Sequence, residues 1–87
     1  MRRKIEIIFY TKPNCPLCEE AEEILEEIKN NKSITVSQID ITKDMMIYEE
    51  YKHRVPVIEI AQKSVLSGRI EGGKLITSIR QALKERH

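Results

Sequence analysis

Cys15 and Cys18 are the only two cysteines of the 87-residue chain, and Pro16 and Leu17 separate them. Two thiols at that spacing at the start of a helix close a disulfide with little backbone movement. Unpaired backbone N–H groups and the positive end of the helix dipole face the first sulfur there and favour its thiolate. The thiolate, rather than the thiol, attacks disulfides. Lys12, three residues upstream of Cys15, adds a nearby cation. The expectation is an exposed Cys15 whose thiol ionises below the ordinary value of about 8.5. Cys18, one turn further in, is expected to be less exposed and to titrate more ordinarily. These placements assign roles. Cys15 attacks a substrate disulfide, and Cys18 resolves the mixed disulfide by attacking the Cys15 sulfur. Pro16 stiffens the loop and would tune its reduction potential.

The same pair admits other readings. A permanent disulfide staple is uncommon where thiols are kept reduced. A zinc or iron–sulfur site needs four ligands, and C-x-x-C supplies two. The other good soft donors are His53, in the charged run Lys52-His53-Arg54, and the terminal His87. Both read as surface histidines, so no metal ligand is assigned. A cluster shared between two chains keeps a metal or iron–sulfur carrier as the alternative function.

Elements able to hold the cysteines in place follow from periodicity. Ile5, Ile7 and Phe9 alternate with Glu6 and Ile8 in a strand ending at Tyr10, and Thr11-Lys12-Pro13-Asn14 is a loop by composition. Leu17, Ala21, Ile24, Leu25 and Ile28 recur at helical spacing, with six glutamates between Glu19 and Glu27 on the other face. Those glutamates oppose the thiolate, but they face outward and mostly lie beyond the first turn. Pro16 suits the first helical position, where its missing N–H would be unpaired anyway.

A second strand is expected over 34–41. Thr42 or Asp44 then caps a short helix to about Lys52, with Met45, Met46, Ile47, Tyr48 and Tyr51 as its apolar residues. Val55–Ile60 forms a third strand with Pro56 near its start, where a missing donor is tolerated. Ala61–Ser64 is a turn, and Val65–Ile70 is the fourth strand. Gly72-Gly73 precede a last helix carrying Leu75, Ile76, Ile79 and Leu83, with cationic Lys84 and Arg86 near its end. The order is β-α-β-α-β-β-α. Its βαβ start gives two parallel strands by a right-handed crossover, and the closing hairpin extends the same sheet between helices on both faces.

The length fits one domain, residues 1–87. Fifteen basic against fourteen acidic side chains leave a net charge of +1, so bulk electrostatics offer no case for nucleic acid or a membrane surface. The run Arg2-Arg3-Lys4 reads as solvated padding. No segment approaches the ~20 apolar residues of a membrane span, and no signal-peptide core precedes the first strand. A cytoplasmic monomer is the default expectation.

Tyr10-Thr11-Lys12-Pro13-Asn14-Cys15-Pro16-Leu17-Cys18 after a strand, with Arg54-Val55-Pro56-Val57 opening a later one, resembles the glutaredoxin branch of the thioredoxin superfamily. The resemblance covers nearly the whole chain. It implies a thioredoxin-like (glutaredoxin-type) α/β fold with a four-stranded mixed sheet flanked by helices, and thiol–disulfide oxidoreductase activity. It also implies that Pro56 is a cis-proline packed across from the thiols, and that the backbone of Val55 pairs with an extended substrate or glutathione. Tyr10 and Lys12 flank the thiol, and Lys12 would serve a glutathione carboxylate. The bland alternative for Tyr10 is packing at the end of its strand. No bound cofactor is implied, since the Cys15–Cys18 pair is itself the redox group. The implied partners are disulfide-containing proteins, with glutathione or a thioredoxin reductase as electron donor. Two departures bear on that donor. Family members carry Gly-Gly-x-Asp where this chain has Gly72-Gly73-Lys74-Leu75, and commonly Pro-Tyr where it has Pro16-Leu17. The motif therefore argues for dithiol exchange without arguing for glutathione.

Overall fold

Strand β1, Ile5–Thr11, buries every second residue: Ile5, Ile7, Phe9 and Thr11. In a computed structural model that describes residues 4–85, this strand lies inside a four-stranded sheet. Arg2, Arg3, Arg86 and His87 lie outside the described residues. Helix α1 (Pro16–Ile28) follows β1, with Pro16 in its first turn as expected. It leads to β2 (Ile34–Asp40). A 3₁₀ turn over Ile41–Lys43 and the short helix α2 (Met45–Tyr51) come next, each started by an aspartate. Asp40 accepts from the Thr42 amide at 2.9 Å, and Asp44 accepts from the Ile47 amide at 3.1 Å. Such side chains take up N–H groups that a helix start leaves unpaired. Strands β3 (Val57–Ile60) and β4 (Ser64–Ser67) form a hairpin, and α3 (Gly72–Glu85) ends the fold.

The sheet order is β2-β1-β3-β4. β1 and β2 run parallel from Ile5↔Ile34 to Thr11↔Asp40, the crossover expected of the opening βαβ unit. β3 pairs antiparallel with β1, setting Tyr10 opposite Val57, and β4 pairs antiparallel with β3. This is the thioredoxin-like arrangement that the resemblance implied.

The register sorts the side chains between two unequal faces. Ile5, Ile7 and Phe9 share one face with Ile34, Ile58 and Ile60, and Cys18, Ala21 and Leu25 of α1 join the same core as Leu75 and Ile79 of α3. Each large side chain so buried contributes about 1.5–3 kcal/mol at most relative to exposure. The other face carries Ile8, Tyr10, Val57 and Glu59, and α2 meets it through Tyr51, whose ring stacks on Tyr10.

Several expectations shift. Helix α2 buries none of its residues, and Met45 and Met46 are 81% and 84% exposed. Two turns of helix present only a narrow inner face, and the anchor of this segment is Ile41 in the preceding turn, fully buried rather than closing β2. Thr11 belongs to β1 and not to the loop, since it pairs with Asp40. β3 begins after Pro56, whose ring nitrogen cannot donate to the ladder. β4 ends at Ser67, because Gly68 turns the chain with a φ of 74° and sends Ile70 into the core. Gly72 and Gly73 lie within the first turn of α3 rather than before it, and Ile76 faces solvent.

Candidate functional site

The cysteine pair is positioned by the start of α1. Asn14 takes a left-handed φ of 57°, a conformation asparagine tolerates better than most residues, and the turn delivers Cys15 to the N-cap position. There the Cys15 Sγ accepts the Cys18 amide at 3.3 Å. The sulfur thus takes the place of a capping oxygen, where helix-start N–H groups and the dipole stabilise negative charge. Cys15 and Cys18 are joined as a disulfide, with Cα atoms 5.2 Å apart, inside the usual span for such a bond.

The expected difference in exposure is present, but smaller than the sequence suggests. Cys15 is 8% exposed and Cys18 2%, so Cys15 is buried rather than open to solvent. Bonded to Cys18, Cys15 belongs to the buried core cluster. Pro16 is exposed, and Leu17 packs partly buried against that cluster. Among the acidic residues of α1, Glu19 alone stands in the first turn.

Lys12 lines a cleft of about 250 Å³ that reaches Cys18 and is completed by Thr11, Glu19, Glu22, Gln38 and Asp40. Asp40 is held below the usual carboxylate range by the hydrogen bonds it accepts from the Thr42 hydroxyl and amide, helped by Lys43. Carboxylates therefore stand beside Lys12 in this cleft, a setting that periodicity does not reveal because Asp40 arrives from β2. Among the described residues, no three His, Cys, Asp or Glu side chains group at a spacing that could hold a metal ion, and His53 is exposed.

The Val55–Pro56 segment leads into β3. Its peptide bond is cis, Pro56 is fully buried, and Val55 packs against the cluster containing both cysteines. The Pro56 carbonyl accepts the Gly68 amide at 3.1 Å, tying the segment to the end of β4.

Tyr10, opposite Val57 in the β1–β3 ladder, does not stand alone. Its ring and that of Tyr51 stack with centroids 4.1 Å apart and planes 19° from parallel. Burial, then the Tyr51 side chain and the negative charge of Glu59, push the Tyr10 phenol up to about 12. The Arg54 guanidinium lies 5.2 Å from the Tyr51 ring centroid, and its Nη1 is 3.2 Å from Glu50 Oε1. The Tyr51 carbonyl accepts the Arg54 amide at 2.8 Å and the Val55 amide at 3.1 Å. Sequence periodicity places Tyr51 only on the apolar face of a helix. A signal for its role exists in the pairing of one aromatic at a strand end with another just before Val-Pro.

The family model for the Glutaredoxin-like domain (DUF836) matches residues 6–80. The chain is 35% identical over 94 aligned positions to the "Glutaredoxin-like protein YDR286C homolog" of Dictyostelium discoideum, covering 95% of this chain and 86% of that protein. Among solved structures, a mutant thioredoxin from Halobacterium salinarum NRC-1 superposes with a TM-score of 0.74 at 17% identity, over 91% of this chain and 74% of its own. A structure described as that of a malarial protein superposes with a TM-score of 0.76 at 13% identity, over 91% and 97% of the two chains. At these identities the superpositions speak for the fold alone.

Proposed function

The chain belongs to the glutaredoxin-like domain family, and from that membership together with its dithiol we propose that it is a thiol–disulfide oxidoreductase. The observation that carries this reading is the Cys15 sulfur at the N-cap of α1, accepting the Cys18 amide and bonded to Cys18. In the reduced protein, the Cys15 thiolate attacks one sulfur of a substrate disulfide. A Cys15–substrate bond forms, and the other substrate sulfur leaves as a thiolate that takes up a proton. Cys18 loses its proton and attacks the Cys15 Sγ, closing the Cys15–Cys18 disulfide and releasing the second substrate sulfur as a thiol. Two electrons and two protons pass to the substrate, and a dithiol or glutathione must return them.

On this reading the cis Val55–Pro56 segment bounds the site, and an extended chain bearing the disulfide lies along it. Lys12 offers a cation to a carboxylate of the substrate, glutathione included, while Glu19 and Asp40 beside it work against a strongly anionic one. Substrates are protein or small-molecule disulfides, and the donor is glutathione or a thioredoxin reductase. Among the described residues no helix is long and apolar enough to cross a membrane. The reducing cytoplasm, where a dithiol stays charged with electrons, suits this activity.

Reduction of insulin disulfides by the reduced protein tests the proposal. Turnover is expected for the wild type and its loss for Cys15→Ser; equal rates for the two proteins would remove the enzymatic reading.

A further inference from the structure

The cleft beside Lys12 reaches the disulfide from the side of Cys18, and its walls come from three elements. Thr11 ends β1, Asp40 ends β2, and Cys18, Glu19 and Glu22 belong to the first turns of α1. The parallel register sets Thr11 beside Asp40, and partners in such a ladder point to the same face of the sheet. That face also carries Ile7 and Phe9, on which α1 packs.

Two features of this cleft have no use in the dithiol exchange. The first is an excess of acceptors. Glu19, Glu22 and Asp40 stand against the single ammonium of Lys12, and among the described residues none of the three is ion-paired. Glu22 and Asp40 are half-buried. Asp40 uses only Oδ1 to accept from Thr42, at 2.9 Å from the amide and 2.6 Å from the hydroxyl, which leaves Oδ2. The same bonds hold it below the usual carboxylate range and keep it charged at neutral pH.

The second feature is Thr11 itself. It is only 9% exposed, yet among the described residues its hydroxyl makes no hydrogen bond. A buried hydroxyl without a partner is costly, so one is expected within the cleft that Thr11 lines. Carboxylates only accept and a hydroxyl oxygen can accept, whereas an ammonium or guanidinium brings donors alone.

We propose that this cleft is a subsite for a cationic group of the substrate, an ammonium or guanidinium held by Asp40, Glu22 and the Thr11 hydroxyl against the Cys18 side of the redox pair. The favoured substrates are disulfides that carry an amine, or peptides with Lys or Arg beside the reactive cysteine. Lys12 offsets part of the negative charge and leaves the cleft net negative, so an anionic disulfide meets repulsion there. The effect on turnover rests on the proposed oxidoreductase reading. The binding of the cation rests on the cleft alone.

A titration independent of redox chemistry tests the subsite. The disulfide form of the protein is titrated with hexamethylenediamine, in which two methylenes replace the sulfurs of cystamine, and its amide resonances are followed by NMR. Shifts are expected at Thr11, Gln38 and Asp40, and neither hexanediol nor suberate should reproduce them. Thr11→Val and Asp40→Asn, each close in shape to the original, should weaken diamine binding about fivefold, the scale of one hydrogen bond. Asparagine also caps helix starts, so the second change keeps the turn. Should either variant fail to fold, Glu22→Gln on the helix surface should weaken binding in the same way. Glu27→Gln, near the far end of α1, makes an equal change in net charge and should leave binding as it is. Equal shifts with the diol or the diacid, or undiminished binding in a folded cleft variant, would overturn the subsite.

Turnover then tests the substrate class. Reduced protein is given cystamine, hydroxyethyl disulfide and dithiodipropionate, which differ in the charge of their end groups. The wild type should favour cystamine over dithiodipropionate about tenfold in kcat/KM, and added salt should shrink that ratio. Asp40→Asn should shrink it about fivefold; differences between the leaving thiols are common to both proteins and cancel in this comparison. A preference for the diacid, or a ratio that Asp40→Asn does not move, would overturn the cationic choice. If none of the three disulfides is turned over while the diamine still binds at Thr11 and Asp40, the oxidoreductase reading has failed and the subsite stands.

Discussion

The Cys15 Sγ accepts the Cys18 amide at 3.3 Å, so the sulfur that the sequence marks as nucleophile is also the cap of the helix that follows it. Capping and the proposed reactivity share one electrostatic origin. The helix start offers N–H groups without backbone partners, and an anionic sulfur satisfies them better than a neutral one.

In the reduced protein, the rate of Cys15 alkylation against pH should therefore reach half its maximum well below the ordinary thiol value of about 8.5. Measured by iodoacetamide trapping in a Cys18→Ser background, a midpoint at or above that value would mean that the cap does not activate the thiol.

The Tyr10 phenol, pushed up to about 12, makes a second pH prediction. Its folded-state value lies above the unfolded value of about 10, so the folded protein holds this proton more tightly. The associated stability is fully present below pH 10 and falls as pH rises toward 12. Spectroscopic titration should show a last phenolate component that disappears in Tyr10→Phe, and chemical denaturation should show a shallower loss of stability over that window in the variant.

The β3–β4 turn carries built-in strain. The Lys63 amide closes on the Ile60 carbonyl at 3.0 Å, and the two residues between, Ala61 and Gln62, have φ of 53° and 59°. Left-handed backbone costs a residue with a Cβ roughly 1–2 kcal/mol, partly offset by the extra freedom glycine would have when unfolded. Gln62→Gly, alone or with Ala61→Asn, should raise stability by up to about 1 kcal/mol, a Tm increase of about 4–8 °C. A lower Tm would refute this view of the turn.

The exposure of α2 separates surface from core. Met45→Glu with Met46→Lys should change unfolding free energy by no more than about 0.5 kcal/mol. Ile7→Ala, on the buried face of β1, should cost about 2–5 kcal/mol. A large loss from the methionine pair would mean that α2 packs inward.

These contrasts mark what local pattern can and cannot carry. Pro16 at the start of α1, the alternation of β1 and the order of elements were legible, because each depends on spacing within one segment. Val55–Pro56 was legible through its likeness to a family motif, and its cis bond agrees with that likeness. The apolar content of α2 misled, since Met45 and Met46 look like core residues until the sheet's second face proves to meet this helix through the Tyr10–Tyr51 stack. Ile41 shows the reverse: a residue at the end of an alternating run that turns out to anchor the next segment. The commitment of the Val55 amide to Tyr51 depends on how a helix end meets a strand start, and periodicity is blind to it.

The division of labour between the two sulfurs is the central claim, and intact-mass analysis after mixing each single-cysteine variant with a disulfide peptide tests it most directly. Cys18→Ser should accumulate a stable mixed disulfide on Cys15, while Cys15→Ser should form its adduct on Cys18 far more slowly. Equal adduct formation in the two variants, or none in either, would contradict the assignment of Cys15 as nucleophile and Cys18 as resolving thiol.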